Sequence, residues 1–360
     1  MEKMEKLYYF AFSNFFGIGP ERFAKLLSKF ESAEEAYKRK REELAEVLGE
    51  NLTEKFLKFK ERFDIEKEFE KLEKKGIKVV AKFEEDYPKS ILNIPDPPIC
   101  LYVKGDYDSF GFEKEFFFAV VGTRKPTSYG RNTAFNFAFS LAKAGACIVS
   151  GMAMGIDSEA HKGALEAGGK TIAVLGCGVD IVYPAVNRGL YNKIIESGGL
   201  VISEFPPGTL VQKGLFIARN RIISGLSKGV LVVEGGETSG SLITARYAAE
   251  QGKDVFAIPG RITDKMAKAP NLLIKQGAFL VESVEEIIEQ YLPEVKLVEK
   301  EFDLTEEEKK VIESFDAKEA DVGSLKLKTG FSISKLLSLL SVLEIKGVLR
   351  VEGERIRLIK

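Results

Sequence analysis

A chain of 360 residues has room for two or three domains, and its 45% hydrophobic content excludes wholesale disorder. With 53 Lys+Arg against 54 Asp+Glu the net charge is −1, which excludes a uniformly basic polyanion-binding coat and obliges any acidic partner to meet a local patch. Cys100, Cys147 and Cys177 lie far apart and His161 is the single histidine, so a disulfide framework, a cysteine zinc site and HExxH metal chemistry find no support.

No apolar run approaches the roughly 18 residues of a membrane span, and the Lys/Glu-rich start lacks the apolar block of a signal peptide. A soluble, cytoplasmic protein with no membrane partner is expected. Residues 1–75 read as a helical domain, with Leu44, Val47 and Leu48 at helical spacing among alternating charges. Within it, Phe16-Gly-Ile-Gly-Pro20 opens an amphipathic stretch from Arg22 to Phe30. Such a turn either offers backbone N–H groups to a phosphate, as in helix-hairpin-helix modules, or simply joins two helices with Pro20 at the first helical position.

Residues 76–115 are Pro-rich and extended, a connector with short strands that forms the first part of the next domain. From 116 to 281, within a core domain of residues 116–292, the pattern repeats: apolar strand, glycine-containing loop, helix. Strands are expected at 116–121, 146–150, 171–175, 200–203, 230–233, 255–258 and 279–281. This alternation predicts an α/β fold with a doubly wound, mostly parallel, Rossmann-like sheet. After an acidic linker, residues 303–360 read as a winged helix. Thr305 and Glu308 are spaced as a capping box, a second amphipathic helix runs over 332–346, and 348–358 alternates about Gly353-Glu354 as a hairpin would.

Charge is uneven along the chain. Residues 119–280 hold 18 Lys+Arg and 11 Asp+Glu, a net of +7, so a basic middle is flanked by acidic ends. In an open parallel sheet ligands sit beyond the carboxyl ends of the strands, and four loops there are glycine-rich. They are Val120-Val-Gly-Thr-Arg-Lys125, Ser150-Gly-Met-Ala-Met-Gly-Ile-Asp157, Leu175-Gly-Cys-Gly178 and Glu234-Gly-Gly-Glu-Thr-Ser-Gly-Ser241. Glycine there either admits an anionic ligand to the backbone or merely makes the turn.

Nucleotide and hydrolase motifs fail on spacing. Gly176-Cys-Gly178 lacks the third glycine of GxGxxG, the run from Gly163 to Thr171 has one residue too many for a Walker A loop, and Ser239 sits one place late for GxSxG. The densest polar segment is Lys213 to Gly225, with Lys213, Phe216, Arg219, Asn220 and Arg221 close together. Its cations suit phosphates, and its phenyl ring suits an unpaired base. His161, four residues after Asp157, is either half of an Asp-His pair or a histidine hydrogen-bonded for structure.

Taken in order, Val121-Gly-Thr-Arg124, Ser150 to Asp157 with Ala160-His161, Tyr183-Pro184, Ser203-Glu204, Arg219-Asn-Arg-Ile-Ile223, Ser239-Gly-Ser-Leu-Ile-Thr244 and Ile258-Pro-Gly260 form a specific series. It closely resembles the DNA-processing protein A family (DprA, or Smf). The resemblance implies a non-enzymatic, homodimeric recombination mediator that needs no cofactor or metal, protects incoming single-stranded DNA and helps load RecA during natural transformation. It also implies that Arg124, in the Gly122-Thr123-Arg124 loop, and Lys213 hold phosphates and that Phe216 meets a base. Arg219, Asn220 and Arg221 match the family's Arg-Asn-Arg element, and Gly122, Gly151, Ser239 and Gly240 would shape the pocket floor. Two departures stand out: residues 263–271 lack the Ser-x-Gly-Cys-Asn run, and Ala218 stands where proline is common. The competing reading is a nucleoside-monophosphate hydrolase like the lysine-decarboxylase-like Rossmann proteins, with Arg124 and Glu234 acting on the nucleotide. The winged helix is open to duplex recognition, regulation, dimer contacts or partner binding, since the helix over 332–346 is mostly apolar.

Overall fold

The Pro-rich segment contributes two strands, β1 (Lys78–Ala81) and β2 (Cys100–Lys104). Seven follow in the repeating segment: β3 (Phe116–Val121), β4 (Ala146–Ser150), β5 (Thr171–Val174), β6 (Leu200–Ser203), β7 (Gly229–Val232), β8 (Asp254–Ala257) and β9 (Phe279–Leu280). In the computed structural model, which describes residues 2–292, 304–315, 319–345, 348–352 and 355–358, all nine join one sheet in the order β1-β2-β6-β5-β4-β3-β7-β8-β9. The strands from β3 to β9 are mutually parallel, while β2 pairs antiparallel with both β1 and β6. β4 and β5 are buried at every residue, as continuous apolar runs in a parallel sheet require when helices cover both faces. The chain winds outward from β3 through β4, β5 and β6, then returns to the other side of β3 as β7. That reversal opens a crevice at the carboxyl ends of β3, β4 and β7.

Six helices between Glu2 and Lys74 precede the sheet. They belong to the same compact unit, Met1–Lys296, and the period-two alternation of β1 and β2 explains the attachment. Val79, Ala81, Cys100 and Tyr102 face the helices, whereas Val80, Leu101 and Val103 face the main core. The Tyr102 hydroxyl lies 2.5 Å from Ser13 Oγ and accepts from Asn14 Nδ2 at 3.0 Å, which ties the first helix to the sheet. The Gly17-Ile18-Gly19 turn buries Ile18 and leaves Phe16 exposed, with Pro20 starting the helix.

The second compact unit, Leu297–Lys360, carries helix Glu306–Glu313, β10 (Glu319–Asp321), helices Val322–Thr329 and Ile333–Ile345, β11 (Leu349–Glu352) and β12 (Arg355–Leu358). Its sheet is antiparallel in the order β10-β12-β11, the arrangement of a winged helix. The expected capping box is present: Thr305 N–H donates to Glu308 Oε2 at 2.7 Å, and Glu308 N–H to Thr305 Oγ1 at 3.3 Å. The expected turn at Gly353-Glu354 lies outside the described residues, as does most of the acidic linker. The Ile333–Ile345 helix turns Leu336, Leu340 and Leu343 into the unit's core and leaves Ile333 and Leu337 exposed.

Candidate nucleic-acid interface

The loops after β3, β4 and β7 meet at close quarters. Thr123 N–H donates to the Glu234 carbonyl at 2.7 Å, and Ile156 N–H donates to the Thr123 carbonyl at 3.2 Å. Gly122 lies between them: a Cβ there would stand 2.6 Å from Ile156 Cγ1 and 2.8 Å from the Glu234 oxygen, so only glycine fits. The cleft over these loops has a volume of about 810 Å³. Gly122, Thr123, Arg124, Lys213, Phe216, Arg219, Asn220, Ser239 and Gly240 line it, joined by Lys125, Asp157 and Tyr183. Helices Ser128–Lys143, Ile156–Glu166, Lys213–Leu226 and Gly240–Glu250 follow parallel strands, so their amino ends, which carry the positive end of the helix dipole, lie at this edge of the sheet.

Arg124, Lys125 and Lys213 are exposed, and among the described residues none has a salt-bridge partner. The Arg124 guanidinium lies 5.3 Å from the centroid of the half-buried Phe216 ring, and the Tyr183 ring lies 5.6 Å from the same ring at a 36° tilt. Three free cations and two aromatic rings thus share one wall of the cleft. That wall can neutralise phosphates and stack on a flat, unpaired base.

The Arg219-Asn220-Arg221 element sits differently. All three side chains are buried, because from Arg219 onward the Lys213–Leu226 helix runs into the core. Arg219 Nη1 donates to the carbonyls of Gly151, at 2.6 Å, and of Val174, and its Nε donates to Asn220 Oδ1 at 3.1 Å. It forms the cleft floor, with Gly151 packed beneath its guanidinium. Burial pulls the Arg219 pKa down to about 10, against the pull of Asp157. Arg221 does not line the cleft. Its fork is bidentate to Glu204, at 2.7 Å on both arms, and its Nε donates to Asp96 at 2.8 Å, tying the helix to the Pro-rich segment. The structure therefore brings together nine of the eleven residues named from sequence, with Gly151 under the floor and Arg221 on the far side of its helix.

A family model described as DNA recombination-mediator protein A matches residues 78–292. The chain belongs to that family. Among members of the DNA recombination-mediator protein A family, Protein Smf of Synechocystis is 38% identical over 291 residues, covering 80% of this chain and 73% of the relative. DNA processing protein DprA of Bacillus subtilis is 43% identical over 219 residues, covering 61% and 72% respectively. The crystal structure of DprA from Streptococcus pneumoniae superposes with a TM-score of 0.67 at 35% identity, over 79% of this chain and 96% of that one. A structure of DNA processing protein A from Helicobacter pylori, described for its single-stranded DNA binding mode, gives 0.55 at 32% identity, over 61% and 97%.

For this member of the DNA recombination-mediator protein A family, the departing segment 263–271 still closes the cleft through its backbone. Gly235 N–H donates to the Met266 carbonyl at 2.7 Å, and Ala269 N–H donates to the Gly235 carbonyl at 2.8 Å. Asp157 and His161 do not pair. Asp157 faces the cleft, and burial holds its carboxyl above the usual carboxylate range, opposed by Arg219. His161 is wholly buried, with Nδ1 2.7 Å from Thr171 Oγ1. Since Thr171 Oγ1 gives its proton to the Ile148 carbonyl at 2.6 Å, His161 Nδ1–H is the donor, and Nε2 has no partner among the described residues. Burial first, then the Arg219 charge, lower its pKa to about 3, so it stays neutral. Glu234 is also engaged: Thr127 donates to it through N–H at 2.9 Å and through Oγ1 at 2.6 Å. Lys125 and Tyr183 line the cleft although sequence reasoning did not name them as site residues. For Lys125 the signal was adjacency to Arg124; for Tyr183 it was an aromatic residue in a loop following a strand.

Proposed function

We propose that the cleft binds single-stranded DNA and performs no chemistry on it. The observation that carries this reading is the wall of unpaired Arg124, Lys125 and Lys213 beside Phe216, set among helix amino ends. Phosphate neutralisation plus stacking is tolerant of sequence, which suits a mediator that accepts any strand. The Helicobacter pylori relative, described by its single-stranded DNA binding, supports the same assignment. The Glu234 geometry weighs against the nucleotide-hydrolase alternative, because a carboxylate with both oxygens engaged by Thr127 is poorly placed to act as a base. Membership of the family supports extending the role to protection of incoming DNA and help in loading RecA. Among the described residues no helix is long and apolar enough to cross a membrane.

A homodimer is part of the proposal. Among the described residues β9 has a neighbour on one side only, and Ile262, Leu272, Phe279 and Leu280 are exposed around that edge, a surface suited to a second copy of the chain. The test of binding is anisotropy with oligo-dT over a range of salt. Arg124→Ala and Lys213→Ala are each expected to weaken binding about tenfold, as loss of a charge-assisted hydrogen bond implies. Each also flattens the log–log salt slope by about 0.7. Wild-type affinity in both variants would overturn the reading.

A further inference from the structure

We infer that Tyr183 is the platform on which a base of the bound strand stacks, with Phe216 as its backing. This rests on the single-stranded DNA reading of the cleft and moves the base from the ring that the sequence singles out to its neighbour. Phe216 is hemmed in. Arg124 lies over its ring at 5.3 Å, Tyr183 lies beside it at 5.6 Å, and a Cβ on Gly176 would come within 2.8 Å of its Cδ1, so the chain at Gly176 presses on the same ring. A planar base has little access to a ring held on three sides. Tyr183 is 42% exposed, lines the same cleft, and its hydroxyl has no hydrogen-bond partner among the described residues. A ring supported on one side by another ring and open on the other is the form a stacking platform takes.

The loop that carries it is braced. Ile181 N–H donates to the Gly178 carbonyl at 2.9 Å, Gly178 N–H to the Thr209 carbonyl at 3.0 Å, Gly208 N–H to Asp180 Oδ1 at 2.8 Å, and Asn187 N–H to the Pro184 carbonyl at 3.0 Å. The ring is thereby pre-positioned, so a base landing on it need not order the loop first. With Arg124 also against Phe216, one wall offers a cation for a phosphate and an aromatic face for the base attached to it.

The experiment compares oligo-dT with a tetrahydrofuran strand of the same length, which keeps the phosphates and lacks the bases. Tyr183→Ala and Tyr183→Leu are expected to weaken oligo-dT binding about fivefold or more, the loss found on removing a stacking aromatic. Both should bind the tetrahydrofuran strand within about twofold of wild type, since no base is present to stack. Tyr183→Phe should match wild type on both strands. Full oligo-dT affinity in Tyr183→Ala and Tyr183→Leu, or equal losses on both strands, would overturn the inference. Arg124→Ala separates the two levels: it should weaken both strands alike. If it does so while the Tyr183 variants leave oligo-dT binding intact, the platform alone falls; if no cleft variant affects either strand, the DNA reading falls with it.

Discussion

Replacing Arg221 by alanine separates stability from binding at a residue that sequence groups with the DNA contacts. Arg221 and Glu204 keep only 5% and 10% of their side chains exposed, and the variant leaves the Glu204 carboxylate without its bidentate partner. Breaking a buried ion pair costs about 3–5 kcal/mol. The Asp96 contact adds little because that carboxylate is 42% exposed, so a loss of about 3 kcal/mol is expected. At about 2–4 °C per kcal/mol for a domain of this size, Tm falls by about 6–12 °C. Affinity for oligo-dT, measured well below both melting temperatures, should stay within about twofold of wild type, because the guanidinium does not reach the cleft. Arg124→Ala should show the reverse pattern, with Tm nearly unchanged. Adding Glu204→Gln to Arg221→Met should recover part of the lost stability, since no buried charge is then left unpaired and Asp96 is open to water. A tenfold loss of binding in Arg221→Ala at unchanged Tm would refute the reasoning.

The remaining predictions concern the floor, the buried histidine and the sheet edge. Gly151→Ala puts a methyl 2.4 Å from Arg219 Nη1, a group fixed by carbonyls, and should destabilise the protein by about 1–3 kcal/mol in denaturant titration. His161 has a folded-state pKa of about 3 against an ordinary 6.5, so between those values the unfolded chain binds a proton that the folded chain does not. Its contribution is complete above pH 6.5 and is lost as pH falls toward 3, by up to about 1.4 kcal/mol per pH unit. Denaturant midpoints of His161→Gln should therefore fall less steeply with acid than those of wild type; equal slopes would contradict the assignment. Leu280→Lys should shift sedimentation toward the monomer at micromolar protein, and an unchanged profile would remove the β9 edge from the dimer proposal.

Much of the architecture was legible because the relevant signals are local. Alternation of apolar strands with helices leads to the parallel sheet, and the glycine-rich loops after β3, β4 and β7 do converge at the switch point. Arg219 and Arg221 were harder to place. As cations they look like surface residues, yet the helix they occupy continues as Ile-Ile-Ser-Gly-Leu, with no charged residue on any side, which marks a helix passing into the interior. The role of Glu234 was not legible, since its partner Thr127 lies 107 positions away and only the pairing of β3 with β7 brings them together. The attachment of β1 and β2 to the sheet was hidden for a related reason. Strands of four and five residues on either side of a proline-rich stretch carry too little pattern to reveal which edge they join.

The two-sidedness of β1 and β2 bears on how the molecule can be divided. The family signature begins at residue 78, and a fragment cut there would appear natural. Such a fragment would expose Val79, Ala81, Cys100 and Tyr102 to water as a contiguous apolar strip, and would leave a tyrosine hydroxyl without Ser13 and Asn14. The recognisable segment and the separable segment are therefore different lengths of chain, and the helices ahead of the sheet serve as the lid of its outermost strands.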